Sequence, residues 1–545
     1  AGTQLVKDIN VLGTGGSPSG LTVMGTHFYF GAFTDANGYE LWKSDGTNAG
    51  TQLVKDINPG TASSIYSDFM PVNGSIYFNA ITATHGVELW KSDGTNAGTQ
   101  LVQDINPGTA SSTPSSITNV NGTLFFTALQ GGQTQLMKTD GTGAGTMAIN
   151  SSIFGGGTTY ASLYAFNNKL FFMYDGYKPD IPSTATGREP WVSDGTNAGS
   201  VLIKDINAVV NSNSSNPGSL LRVGNDVYFA ATSPANGTEL WKTDGTTAGT
   251  VLLKDIFTGS SSSNPANLTN VNGTIFFTAN ATGFGVELWK TDGTTAGTVM
   301  VKDIRTGTNS SSPTLLTASG STLYFVANDG TTGNELWKTD GTAAGTVLVT
   351  DLVAGTGSPS PALLTDLNGI LIFRATITGL GSELWKSDGT AAGTVLLKDI
   401  AAGTGSPNID EIVVYNGKIY FPANDGTNGE EPWVSDGTAA GTNLFVNIAT
   451  SVSFPNSNPR NFAVAEGRLY FSAFTAGTQF EPWVSDGTPG GTMMLMDIVP
   501  GGSGSGPAGF TGMNGWVYFS AGGPGTGREL WKTDGTEAGT QIVKD

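Results

Sequence analysis

The sequence predicts an all-β protein, a β-propeller of about eleven four-stranded blades, on three observations. One phrase returns along the whole chain: Glu40–Gly60 reads ELWKSDGTNAGTQLVKDINPG, and Glu88–Gly108 repeats it with one change. Its Asp-Gly step falls at Asp45, Asp93, Asp140, Asp194, Asp244, Asp292, Asp340, Asp388, Asp436, Asp486 and Asp534, at spacings of 47 to 50 residues apart from one of 54. Aromatics make up 10% of the residues and recur on that schedule, which a disordered Gly/Ser/Thr/Asn-rich chain would lack. Apolar runs are short and never hold a 3.6-residue period, so helix should be nearly absent.

The unit Ser262–Asp303 shows each element in order. A first strand over Asn267–Val271 ends at Asn272-Gly273, and Asn-Gly between apolar runs is the strongest short hairpin signal. The second strand carries an aromatic pair, here Phe276-Phe277 and elsewhere Tyr29-Phe30 or Tyr420-Phe421. A Gly-rich loop leads to the third strand, ELWK, and the Asp-Gly-Thr turn leads to the fourth, TVMVKDI. Four strands in about 48 residues match one propeller blade. Ten of the eleven tryptophans occupy one position of the third strand, which predicts an inter-blade wedge. The eleven units form a single array over 1–545, with residues 1–9 as an extra outer strand. A single large ring is expected, with two smaller propellers or an open array as alternatives.

The net charge of −19 is mostly grammar, because the Asp-Gly aspartates and the Glu before Leu-Trp or Pro-Trp supply much of it. Such a chain has no Lys/Arg cluster for phosphate, so nucleic acid is not expected as a partner. No apolar run approaches the ~20 residues of a membrane span. The absence of cysteine excludes disulfides and thiolate chemistry. The repeated Asp should close Asx-type turns, and the repeated Glu is expected to pair with a Lys such as that of LVKDI. No cofactor is expected. Ca²⁺ is the one ion that the loops Asn328-Asp329-Gly330 and Asn424-Asp425-Gly426, followed by Glu335 and Glu430-Glu431, would suit, although they lack a full ligand spacing and a plain hairpin connection is the expectation. The two histidines, His27 and His85, stand at non-equivalent positions and support no triad or metal cluster.

The phrases ELWKSDGT, ELWKTDGT and EPWVSDGT, followed by AGT and LVKDI, resemble the ELWxxDGT tandem-repeat family of bacterial surface and secreted proteins. The unit is similar, more loosely, to TolB-type and WD-like propeller blades. The resemblance implies architecture and an extracellular or cell-surface location, and supplies no functional residue. Function should therefore lie where the grammar breaks. The longest break, Met173–Trp191, inserts about six residues between the second and third strands, and its Tyr174, Asp175, Tyr177 and Asp180 are the candidate binding residues. The expectation is a non-enzymatic surface adhesin, binding scaffold or appendage component. Its partners would be other subunits or cell-surface glycans and proteins, with assembly through the spare strand Thr3–Ile9. The alternatives are a carbohydrate-active propeller enzyme, hydrolase or lyase, or a lectin-like sensor. The enzyme would need non-repeated acids such as Asp226, Asp366, Asp410, Glu411 or Glu466 to converge.

Overall fold

In the computed structural model the described residues exclude 1–8, 11–15, 17, 46, 66–68, 150–159, 179–180, 209–213, 452, 454, 502, 514, 524–526 and 545. The side chains of 21, 161, 176–178, 181–186, 527 and 542–544 are also outside the description. The described chain is all β, with eleven antiparallel four-stranded sheets, each a simple meander. These are the blades of a β-propeller. Blades 1 and 2 span Ser19–Lys55 and Met70–Leu101; blades 3 to 5 span Ser115–Ala148, Tyr160–Leu202 and Gly218–Lys254. Blades 6 to 8 span Ala266–Lys302, Thr314–Leu348 and Ala362–Lys398, and blades 9 to 11 span Val413–Leu444, Arg460–Met494 and Ala508–Lys544. They fall into two compact units, one holding blades 1, 2, 9, 10 and 11 and the other holding blades 3 to 8 up to Leu397.

Local chemistry explains each turn. At the first hairpin of most blades both residues take positive φ, as with Asn272 at 50° and Gly273 at 91°, the type I′ geometry that Asn-Gly favours, while in blades 1, 5 and 7 only the leading Gly25, Gly224 and Gly320 do. The first strand carries a bulge at its second residue, which also has positive φ: Gly20, Ser116, Ser219, Asn267, Leu315 and Gly509 among them. A threonine two residues on donates to that residue's carbonyl, as Thr269 Oγ1 does to Asn267 at 3.1 Å. The turn between strands three and four is a lock. Asp93 Oδ1 accepts from Thr95 N at 2.8 Å and Thr95 Oγ1 at 2.7 Å, while Thr95 Oγ1 accepts from Gly98 N at 2.9 Å. These donors hold the Asp93 carboxyl below its ordinary range. A Cβ on Gly98 would run into that carboxylate, which is why a glycine stands five residues after the Asp in each unit, Gly199 and Gly491 included.

Within each unit, packing then buries the sheet faces between neighbouring blades. In blade 6, Ile275, Phe277, Ala279 and Trp289 pack on Tyr228, Leu240 and Leu253 of blade 5, while Phe276 and Leu288 face Phe325 and Trp337 of blade 7. The tryptophans are wedges between blades, nine of the ten being buried and Trp483 partly so. The lysine of LVKDI does not meet the repeated Glu. Lys254 Nζ lies 5.8 Å from the Trp289 ring of the next blade and donates to Thr298 O at 2.9 Å. The Glu is instead fully buried and receives backbone donors: Glu239 accepts from Ile256 N at 3.0 Å, Phe257 N at 3.2 Å and Ser263 N at 3.1 Å, with Ser263 Oγ at 2.6 Å. Each such Glu ties the link to the next blade onto its own third strand. A long, mobile Lys cannot replace this set, because the donors must be fixed to offset the loss of hydration.

The fourth-blade insertion lengthens a hairpin. The second strand runs Lys169–Lys178 and the third Ile181–Ser193, paired from Leu170↔Ser193 out to Lys178↔Ile181. At the other end of the array, the last blade packs on the first. Ile9, Phe28, Phe30 and Trp42 share a core with Met513, Tyr518 and Leu530, and Gly16 N donates to Glu529 Oε1 at 2.6 Å, the part that Ser112 N plays for Glu88. The last blade's fourth strand is its own Gln541–Lys544. Of the spare strand Thr3–Ile9, all but Ile9 lies outside the described residues.

Candidate active site

Most of the non-repeated acids serve structure. Asp226 pairs with Lys242 at 3.2 Å. Asp366 accepts from Ser319 Oγ and, at 3.0 Å, from Gly369 N. Glu466 accepts from Gly515 N at 3.1 Å. Asp329 and Asp425 spend their oxygens inside their own loops, on Thr331, Thr332, Thr427 and Asn428. Among the described residues no group of three or more His, Cys, Asp or Glu is placed to hold a metal ion.

Asp410 and Glu411 are different. Blade 9 has a first strand of only three residues, Val413–Tyr415, where most blades have six. The residues that would begin it, Asn408–Ile412, leave the sheet, with Asn408 at φ 60° and Ile409 buried as the anchor. Asp410 stands exposed in this segment, and Glu411 is half-buried beside it. A third acid joins them from the third strand, the half-buried Glu430. Its backbone N donates to Asn456 Oδ1 at 2.8 Å and its carbonyl accepts from Ser457 N at 2.8 Å, which fixes where the side chain starts.

The electrostatics couple the three. Burial pushes the Glu430 carboxyl up, the Asp410 charge pushes it further, and a hydrogen bond from Asn408 works against both. Glu411 is raised for the same two reasons, opposed by the backbone N–H groups of Phe462 and Asn461 in blade 10. Beside them Arg460 lies over the Phe480 ring at 3.9 Å. A carboxyl raised by burial and by a neighbouring exposed carboxylate is a pairing of the kind that acid–base cleavage of a glycosidic bond uses.

The sequence-predicted binding residues do not form this site. Tyr174 is a core residue, stacked on Tyr160 at 4.7 Å and edge-on to Trp191 at 5.9 Å. Asp175 is half-buried, in register with Arg188. Tyr177 pairs through its backbone with Ala185, its side chain being outside the description, and Asp180 lies outside the described residues. Of the acids that the enzyme alternative required, only Asp410 and Glu411 share an electrostatic environment. Sequence reasoning missed Glu430 as their partner. Its signal was present, since the residue before the repeated Glu is elsewhere Tyr39, Val87, Thr238, Ser382 or Phe480 and is acidic only here.

The fold defines a β-propeller protein with a cluster of three acids at one blade. No family model matches the chain, and no curated protein does. Among solved structures it is similar to a puromycin hydrolase at 15% identity, covering 61% of this chain and 54% of that one, with a TM-score of 0.26. The β-propeller domain of the trilobed protease from Pyrococcus furiosus matches at 13% identity over 61% of this chain and 99% of the domain, with a TM-score of 0.27. A GH74 enzyme of Niastella koreensis matches at 13% over 96% of this chain and 77% of that one, with a TM-score of 0.24. The chain thus spans about half the length of the hydrolase it matches. These neighbours are enzymes or their domains, and this corrects the expectation of a non-enzymatic adhesin, scaffold or appendage part. The likeness itself extends to the fold alone.

Proposed function

We propose that the protein is a carbohydrate-active propeller enzyme that hydrolyses glycosidic bonds at Asp410, Glu411 and Glu430. The observation that carries this reading is the acid cluster of blade 9, where the charge of the exposed Asp410 acts on the half-buried Glu411 and Glu430. Glu430 is assigned as the proton donor to the leaving oxygen, because burial and the Asp410 charge both raise its carboxyl. Asp410, the accessible carboxylate, activates water or attacks the sugar carbon. Glu411, tied to the N–H groups of Asn461 and Phe462, is a positioning residue that joins blades 9 and 10 at the cluster. A peptidase mechanism finds less support. His27 bonds to Thr26 at 3.1 Å and His85 to Thr84 at 2.9 Å, and among the described residues neither bonds to a serine or a carboxylate.

Reducing-sugar release from a panel of polysaccharides tests the reading. Glu430→Gln and Asp410→Asn are each expected to lower kcat by about 10²–10⁴-fold, the range for a lost acid or base. The alkaline limb of the rate profile should lie above an ordinary glutamate value, since a raised pKa keeps the donor protonated as pH climbs. Full activity in both variants would sink the assignment, and so would the absence of release from every polysaccharide.

A further inference from the structure

A concave site lies in the unit of blades 3 to 8, at the first hairpin turns of blades 3, 4 and 5. It is a cavity of about 380 Å³, within the ~300–1,000 Å³ typical of small-molecule sites. Asn119 and Asn121 come from blade 3, Asn167 and Asn168 from blade 4, and Arg222 from blade 5. Opposite the second residue of the second strand, where blade 3 has Asn119 and blade 5 has Arg222, blade 4 has the small Ala165, which leaves room for the cavity. Where blades 7 and 8 meet, Ser319 and Asp366 bond across the corresponding gap.

The donors at this cavity are partly committed and partly free. Arg222 Nε donates to Gly224 O at 3.2 Å, and its guanidinium lies 5.7 Å from the centre of the buried Phe166 ring. These contacts hold the group in place, and its two terminal nitrogens have no protein partner among the described residues. Asn167 Nδ2 donates to Asn225 O at 3.2 Å, and Asn119 Oδ1 accepts from Gly122 N at 2.8 Å. The side-chain amides of Asn121 and Asn168 have no such engagement among the described residues. Two carboxylates of blade 5 are spent elsewhere, Asp226 on Lys242 and Asp244 on Thr246. A protein of net charge −19 therefore presents one oriented guanidinium among amides at a concave surface.

We infer that this cavity binds a uronate, the carboxylated sugar unit of an anionic saccharide. A planar carboxylate matches the free edge of a guanidinium with two parallel bonds, which neutral hydroxyls do not. The asparagine amides then take sugar hydroxyls, and Phe166 lies beneath as an apolar floor. This site is separate from the acid cluster in blade 9 and stands whether or not hydrolysis is observed there.

Calorimetric titration of the full chain with glucuronic acid, glucose and sodium sulfate tests it. Glucuronic acid should bind, and glucose and sulfate should bind at least about tenfold more weakly, the loss expected when a charge-assisted pair is missing. Arg222→Ala should weaken glucuronic acid by roughly tenfold or more, and Arg222→Lys should not restore it, because an ammonium lacks the fork. Ala165→Leu, which fills the cavity with an apolar group, should abolish binding while the melting temperature stays near that of the parent. Equal binding of glucose or sulfate would overturn the inference, as would an unchanged affinity in Arg222→Ala or Ala165→Leu.

Discussion

At the residue scale, the buried glutamates show how one repeated side chain acquires different properties from its surroundings. Glu239 has four donors, whereas in blade 7 the place of Ser263 is taken by Pro359, which has no N–H. Glu335 accepts from Leu352 N at 3.3 Å, and its Oε1 is buried without a partner. Burial, with Asp351 and Asp329 adding repulsion, pushes the Glu335 carboxyl up to about 8. A raised folded-state pKa favours the protonated fold: the contribution is complete below the ordinary value of 4.5 and is lost as pH rises through about 8. Glu335→Gln, a permanent mimic of the protonated acid, should therefore melt near the parent at pH 5 and above it at pH 9. Glu239→Gln should destabilise at both, by about 1–3 kcal/mol, because its amide meets donors with a donor. Thermal melts of the two variants across this pH range decide the matter; a parallel response of both would refute the distinction.

At the scale of the element, the repeated phrase encodes a turn lock and a wedge. Gly98→Ala would push the Asp93 carboxylate off Thr95, so the amides of Thr95 and Gly98 should lose hydrogen-exchange protection while the strands of blade 2 keep theirs. Unchanged protection at Thr95 would show that the lock does not depend on this packing. Trp289 sits between blades 5 and 6 with its ring under Lys254. Trp289→Ala should cost roughly 3–5 kcal/mol, the range of large-to-small core changes. The damage should appear first in blades 5 and 6, since a repeat array couples mainly to its neighbours. Fragment-resolved exchange measures that order, and uniform loss over the chain would contradict it.

At the scale of the molecule, the contact between first and last blades joins residues nearly the whole chain apart. Phe28 and Tyr518 meet edge-on with ring centroids 3.7 Å apart, inside the core shared by blades 1 and 11. Phe28→Ala removes a fully buried ring and should lower stability by about 3–5 kcal/mol. Blades 1 and 11 should exchange before blades 5 to 7, because only they lose a partner face. If the loss instead began in blades 5 to 7, the contact would not be an independent support of the terminal blades.

The strands, turns and wedge positions were legible in the residues, because the cues are local. Asn-Gly demands positive φ, Asp-Gly-Thr closes on its own amides, and a Trp at a fixed place in every third strand has only the neighbouring blade to bury it. The count of blades followed from the period. What each charged side chain met was decided by the tertiary structure. Lys254 and Glu239 both belong to the repeated phrase, yet the lysine reaches the next blade's Trp289 and the glutamate turns to the backbone of the following link. That choice depends on which donors are fixed at the place where a carboxylate loses its water. The acid site was hidden for the same reason. Glu411 and Glu430 are 19 residues apart in the sequence, and only the shortening of one strand places both in the field of Asp410. The aromatic insertion misled in the opposite direction, because pairing extended the hairpin and drew Tyr174 into the core against Tyr160 and Trp191. Periodic residues reveal architecture through local geometry, whereas the chemistry of a carboxylate depends on neighbours that only the folded chain brings near.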